Sequence, residues 1–163
     1  MKALIHDLGA DFTALIKDSF DETIDADGRY APCRGCFDCW TKSPAECFFK
    51  DKLQHSCRIL GKAEELVIVT ENCYGTYSPE VKNVLDRSIG SSTPFSTYRG
   101  GQMHHTLRYR RHDILRVYAY GDITERERET FELMTERNAI NDGFKSHEFR
   151  YFASLDELKE ALA

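Results

Sequence analysis

The stretch "LVIVTENCYGTYSPEVKNVLDR", Leu66 to Arg87, decides how the rest of the chain is read. Its first four residues are apolar without a break, as in a parallel strand covered on both faces. Ser78 and Pro79 then mark a helix start. Serine serves as the N-cap, and proline suits the first helical position, where its missing N–H costs nothing. Val81, Val84 and Leu85 carry the helix inward, and it ends near Arg87. A strand, a glycine-bearing loop and a helix in this order are part of a βα unit.

The same alternation continues on both sides. "KALIHDL" from Lys2 reads as a first strand, "ADFTALIKDSF" as a short helix and "ETIDA" as a weak second strand. From Lys50 the chain turns helical, with Leu53, Cys57 and Leu60 at i, i+4 and i+7 on one face. Cys57 on that apolar face reads as a small core residue. "ILRVYAY", Ile114 to Tyr120, is the next strand. Thr124 and Glu127 form a capping box for a charged helix with Phe131 and Met134 on its buried side, and Gly143 closes it. "HEFRYF" is the last strand, and Ser154 with Glu157 caps a terminal helix "LDELKEAL". Five strands interleaved with helices predict one doubly wound α/β domain over residues 1–163, with ligands beyond the carboxyl ends of the strands.

Composition narrows the function classes. A chain of 163 residues, 41% hydrophobic and 30% charged, is one soluble domain. It has no apolar run of membrane-spanning length, and "MKALIHDLGAD" lacks the h-region of a signal peptide, so a cytoplasmic protein is expected. A net charge of −5 argues against a nucleic-acid binder. Six cysteines in a reducing compartment point to metal, redox or packing roles rather than a disulfide framework.

Four of those cysteines sit in "PCRGCFDCWTKSPAEC", Pro32 to Cys47. Cys33, Cys36 and Cys39 are spaced C-x2-C-x2-C, the usual way to give three thiolates to a [4Fe-4S] cluster, and Cys47 could supply the fourth. Zinc is the weaker candidate, because its common knuckles pair two C-x2-C units. Thiol redox chemistry and plain packing stay open. Trp40, beside Cys39, reads as a lid or interface residue.

Between Arg87 and His112 no helix or strand is evident, and "TYRGGQMHHTLRYRRH" is basic. Three readings stand: a flap taking the phosphates of NADPH on Arg108, Arg110 or Arg111, a dimer-forming arm, or a solvated loop. His104 and His105 have no third ligand nearby in sequence and make a poor metal site.

Three segments in order, "CRGCFDCWTKSPAECFFKDKLQ", "LVIVTENCYGTYSPEVKNVLDR" and "GGQMHHTLRYRRH", resemble the flavodoxin-like NAD(P)H-dependent FMN reductases, a family related to the iron–sulfur flavoproteins. The resemblance runs from about Pro32 to the end. It implies a flavodoxin-like three-layer sandwich with strand order 2-1-3-4-5, FMN at the strand ends, a homodimer or higher oligomer, and electrons passed from NAD(P)H to a small-molecule acceptor. Carried over by position, the flavin would lie against Thr70, Glu71, Asn72, Cys73, Tyr74, Gly75 and Thr76, with Gly121 across from them. Gly9, Thr13 and His6 would serve its phosphate. The chain departs from the family in this last loop, where "HDLGADFT" is short and brings Asp7 and Asp11 toward an anion. No side chain stands out as a catalytic acid or base. The alternatives are a non-catalytic flavodoxin-like binding or assembly module with a degenerate phosphate loop, and an electron carrier built on the cysteines.

Overall fold

The computed structural model describes residues 1–16, 18–110 and 112–162. Its centre is a parallel sheet of β1 (Lys2–His6), β2 (Glu22–Asp25), β3 (Glu65–Glu71), β6 (His112–Tyr120) and β7 (Phe144–Phe152), in the order β2-β1-β3-β6-β7. Counting only these five, the order is the expected 2-1-3-4-5. β3 is central and almost wholly buried, as its unbroken apolar run requires, with Ile5 opposite Ile68 on one side and Val117 on the other.

The alternation of side chains along the strands feeds two cores. On one face Leu4, Val67, Val69 and Tyr118 pack with Phe12 and Ile16 of the α1 region (Ala10–Leu15) and with Leu158 and Leu162 of α6 (Leu155–Leu162). On the other, Ile5, Ile68, Leu115 and Val117 meet α3 (Ser56–Lys62), α4 (Pro79–Arg87) and α5 (Glu125–Asp142) through Leu60, Val81, Val84 and Phe131. These are the outer layers of the sandwich.

The caps form as expected. Ser78 Oγ accepts from Val81 N at 3.4 Å, Thr124 and Glu127 close a reciprocal box, and Gly143 ends α5 at φ +79°. No helix among the described residues is long and apolar enough to cross a membrane.

Two expectations need correction. The helix expected from Lys50 begins only at Ser56, because Asp51 turns the chain, accepting from Leu53 N and binding Arg87. The stretch before His112 is not structureless either. It folds into an antiparallel hairpin of β4 (Ser92–Arg99) and β5 (Gln102–Leu107). Its two-residue turn is Gly100-Gly101, both at positive φ, the backbone that a tight hairpin turn demands. A single-turn α2 (Asp38–Thr41) also forms within the cysteine segment.

Candidate functional site

Three strand ends meet at the carboxyl edge of the sheet, where this architecture holds its ligands. Asp7, the residue after β1, ties them together. Its Oδ2 accepts from Glu71 N at 2.9 Å and from the Thr70 hydroxyl at 3.3 Å, and its Oδ1 accepts from the Tyr120 hydroxyl at 2.9 Å. Burial, and next Asp7 itself, push the Tyr120 phenol well above its ordinary value, so it stays a donor. Thr70 is fully buried, and its hydroxyl oxygen also accepts from Ser78 N at 2.9 Å.

The β1–α1 loop is satisfied within itself. His6 is buried, and its Nδ1 accepts from Leu8 N at 3.2 Å while Nε2 lies 2.9 Å from Thr13 Oγ1. Thr13 Oγ1 in turn donates to Gly9 O at 3.2 Å. These bonds require a neutral ring protonated on Nε2, and burial, the foremost cause, lowers the His6 pKa in the same direction. Gly9 takes φ +81° ahead of α1.

A phosphate does not fit this loop. Its one hydroxyl, Thr13, is committed to Gly9, and the sequence has no Lys or Arg between Lys2 and Lys17. Lys52 lies close enough to act on His6, yet its ammonium is held by Asp25 O at 2.6 Å and by Asp27. Asp25 Oδ1 is buried with no partner among the described residues, and Asp7 and Asp11 add further carboxylates. An arriving phosphate would meet acceptors where it needs donors.

The loop after β3 is also turned in on itself. Cys73 N donates to Thr76 O and Thr76 N to Cys73 O, at 3.0 and 3.2 Å. Gly75 N donates to Asn72 Oδ1 at 3.0 Å, and Asn72 Nδ2 donates to Asp122 O at 2.8 Å. The Thr76 hydroxyl points to Met134 Sδ. A methyl group on Gly75 would come within 2.9 Å of Glu127 O, so this glycine lets the loop press on the first turn of α5. Gly121, at φ +88°, stands against the Glu71 side chain. Only Tyr74 projects freely: 89% exposed, at φ +54°, its ring is open to a flat partner.

The cysteine segment approaches this edge through Cys33 and Gly35, which line a cavity that also takes in Thr76 and Tyr77. It runs along α4 toward the amino ends of the strands, where Cys57 Sγ donates to Arg87 O and Trp40 Nε1 donates to Ile89 O. There Cys33, Cys36, Cys39 and Cys47 line one cavity of about 90 Å³ with Phe37, Phe48, Phe49, Arg87 and Ile89. All six cysteines are free. No group of three or more Cys, His, Asp or Glu among the described residues is placed to hold a metal ion, so the [4Fe-4S] expectation gains no support. The Trp40 ring packs on Phe37 and, at 4.6 Å, on His105 of the hairpin.

Arg87 anchors this corner. Its buried guanidinium makes two bonds to Asp51, at 2.7 and 2.9 Å, and a third to Ala31 O at 2.6 Å. Asp51 also accepts from Ala31 N and Leu53 N. Nothing in the sequence pattern singles out this pair.

The basic stretch is likewise committed to the fold. Arg108 bonds Gly90 O and Ser92 O, Arg110 pairs with Glu64, and Arg99 bonds Ile140 O, His105 O and Asn141 O. Arg111 lies outside the described residues.

A second, larger cavity of about 600 Å³ opens between α4, α5 and the hairpin. Leu66, Ile68, Leu115 and Phe144 form its floor; Tyr77, Asn138, Asn141, Asp142 and His105 supply its polar groups. Asp142 is itself exposed, but desolvation by the protein around its carboxyl raises it to about 6, against the opposing effects of Asn141, Arg99 and His104. Tyr77 is also pushed upward by burial, and its hydroxyl accepts from Asn138 at 3.1 Å. Hydrophobic patterning marks Met134 as inward-facing, but not the empty space it borders.

No protein-family model and no curated protein matches the sequence. Solved structures do match in shape. The metal-soaked Flv1 flavodiiron core from Synechocystis aligns with 98% of this chain at 10% identity and a TM-score of 0.50, and this chain spans 32% of its length. An NAD(P)H:quinone oxidoreductase from Methanothermobacter marburgensis aligns over 99% of this chain and 93% of its own, at 12% identity and a TM-score of 0.54. An FMN-dependent NADH-azoreductase from Bacillus anthracis, solved in complex with FMN, gives 99% and 94% coverage, 11% identity and a TM-score of 0.55. At these identities the likeness establishes the flavodoxin-like fold.

Proposed function

We propose that this chain is an oxidoreductase that serves a small, largely apolar electron acceptor held in the 600 Å³ cavity between α4, α5 and the hairpin. That cavity is the observation that carries the reading. An apolar floor, a few convergent polar groups and a carboxyl shifted to about 6 are the ordinary marks of a small-molecule site. Its lining includes Thr76 and Tyr77 of the loop after β3, so it reaches toward the edge where the fold places ligands. The fold neighbours named as FMN- and NAD(P)H-using enzymes make that redox class the natural source of electrons. A flavin would supply the hydride-accepting chemistry. Because the β1–α1 loop does not fit a phosphate, the flavin belongs here as an exchanging ligand stacked on Tyr74, not as a clamped cofactor. A homodimer accords with the hairpin, which exposes Phe95, Tyr98 and Met103.

The closed Asp7 network favours one rival, a non-catalytic binding module that keeps the cavity and has given up the flavin. Titrating FMN and riboflavin in parallel separates the two, with NADH-driven reduction of a soluble quinone as the second readout. The oxidoreductase reading expects both flavins to bind with similar, modest affinity and to support turnover. Binding of neither would leave the module. FMN binding tenfold or more tighter than riboflavin would overturn the account of the phosphate loop.

A further inference from the structure

Cys57 reads in the sequence as a lone core residue, and Cys39 as one of four segment cysteines; the fold brings the two together. Cys39 of α2 is 8% exposed and Cys57 of α3 is fully buried, in one cluster with Ala45, Trp40, Ile89 and Tyr109. Both press on Gly90. A methyl group there would come within 2.8 Å of Cys57 Sγ and 2.9 Å of Cys39 Cβ, so the absence of a side chain at Gly90 lets the two cysteines meet. We propose that Cys39 and Cys57 are a reversible dithiol–disulfide pair that exchanges with small external disulfides through the exposed Cys36.

Three features support it. The two residues adjoin across Gly90, and the neighbouring Cys57 thiol, ahead of the opposing effect of burial, favours the Cys39 thiolate and holds its pKa below the ordinary thiol value. The same contact, followed by burial, pushes Cys57 the other way. One partner is thus ready to attack while the other keeps its proton, the usual asymmetry of an exchanging pair. Cys39 also lines the 90 Å³ cavity that contains Cys33, Cys36 and Cys47, and Cys36 is exposed, so a route to solvent exists.

The exchange balances in three steps. The Cys36 thiolate attacks a small disulfide, forming a mixed disulfide and expelling one thiolate. The Cys39 thiolate attacks the Cys36 sulfur, forming Cys36–Cys39 and expelling the second thiolate. Cys57 gives its proton to solvent and attacks the Cys39 sulfur, leaving Cys39–Cys57 joined and the Cys36 thiolate restored. Two electrons pass from the Cys39–Cys57 pair to the external disulfide, which leaves as two thiols.

The test equilibrates the full chain in buffers of reduced and oxidised glutathione, traps free thiols with a maleimide and digests with trypsin without reduction. The expected product joins the peptide 35–42 to the peptide 53–58, and fragment ions split between Phe37 and Asp38 place the bond on Cys39. Trp40, the sole tryptophan, packs on the pair, so its emission should follow the same redox titration. Cys57→Ala should abolish both signals while its circular dichroism matches the parent. Cys36→Ser should slow the exchange at least tenfold without moving its end point. Cys57 recovered as a free thiol across the whole series, or links confined to Cys33, Cys36 and Cys47, would overturn the pair. An unchanged rate in Cys36→Ser would overturn the route.

Discussion

Two carboxylates do the same geometric work at opposite ends of the sheet. Asp7 gathers the carboxyl ends of β1, β3 and β6 with neutral donors: an amide and the hydroxyls of Thr70 and Tyr120. Asp51 gathers the chain around Ala31, Leu53 and the end of α4 with two amides and a guanidinium. They differ in what is lost when the bridge is cut. Without Asp7, three neutral donors, one of them the hydroxyl of buried Thr70, seek other partners. Without Asp51, a fully buried cation is left uncompensated. The amino end therefore holds the cohesion of the chain, and the carboxyl end can be altered at modest cost.

The sharpest way to break this comparison is Arg87→Met, followed by urea unfolding. Removing one member of a buried, hydrogen-bonded charge pair costs about 3–5 kcal/mol. The stability should fall by that order and the corner carrying Cys39 and Cys47 should loosen. A loss below about 1 kcal/mol would make the two ends energetically alike, against the range expected for such pairs.

The same pair sets a pH signature. The Arg87 hydrogen bond, the largest influence, holds the Asp51 carboxyl below its ordinary value. A group depressed in the fold stabilises fully above the unfolded value of about 3.9, and that contribution is lost as pH falls through the depressed folded value. Unfolding midpoints measured from pH 6 down to pH 2 should therefore drop in the parent. Asp51→Asn should start lower and show a flatter acid limb; a limb as steep as the parent's would assign the acid sensitivity elsewhere.

Asp7→Ala comes next. It strands the Glu71 amide and the Thr70 and Tyr120 hydroxyls, partly relieved by water, for about 1–2 kcal/mol. It also removes a negative charge from the edge, so FMN should gain on riboflavin in the paired titration. If stability falls as far as in Arg87→Met, the contrast between the ends is gone.

How far the sequence could be read follows from where the physics is local. The cap at Ser78, the box at Thr124 and the buried run at Leu66 are signals confined to a few residues, and the structure honours each. The hairpin signal is equally local but less visible. Arg99-Gly-Gly-Gln102 is a two-residue turn motif, but its glycine pair, which needs positive φ, is masked by the basic residues around it. The helix expected from Lys50 illustrates the other kind of error: periodicity put Leu53 on a helical face, and a partner 36 residues away, Arg87, bound Asp51 and delayed the helix. The site was harder still. Asp7 was legible as a charge unfriendly to phosphate, whereas its bonds to Glu71 and Tyr120 span 64 and 113 residues. Spacing grouped the four segment cysteines, and the fold does put them on one cavity. The partner of Cys39 in the core, Cys57, is set by Gly90 and the end of α4, which no spacing rule contains.

The smallest expected effect lies at Asp142, where α5 ends just before β7 begins. Asp142 is exposed to solvent, yet the protein around its carboxyl outweighs Asn141, Arg99 and His104 and raises it to about 6. The sign is opposite to that of Asp51. Between the unfolded value of about 3.9 and the folded value, the native state holds a proton that the unfolded chain has released, so stability falls as pH rises across that window and is level above it. Carboxyl carbon NMR should show one aspartate titrating near 6, and Asp142→Asn should remove both that titration and the decline. An Asp142 midpoint near 4 would mean that water reaches it freely. The cavity would then be an open cleft, and its claim to hold an apolar acceptor would weaken with it.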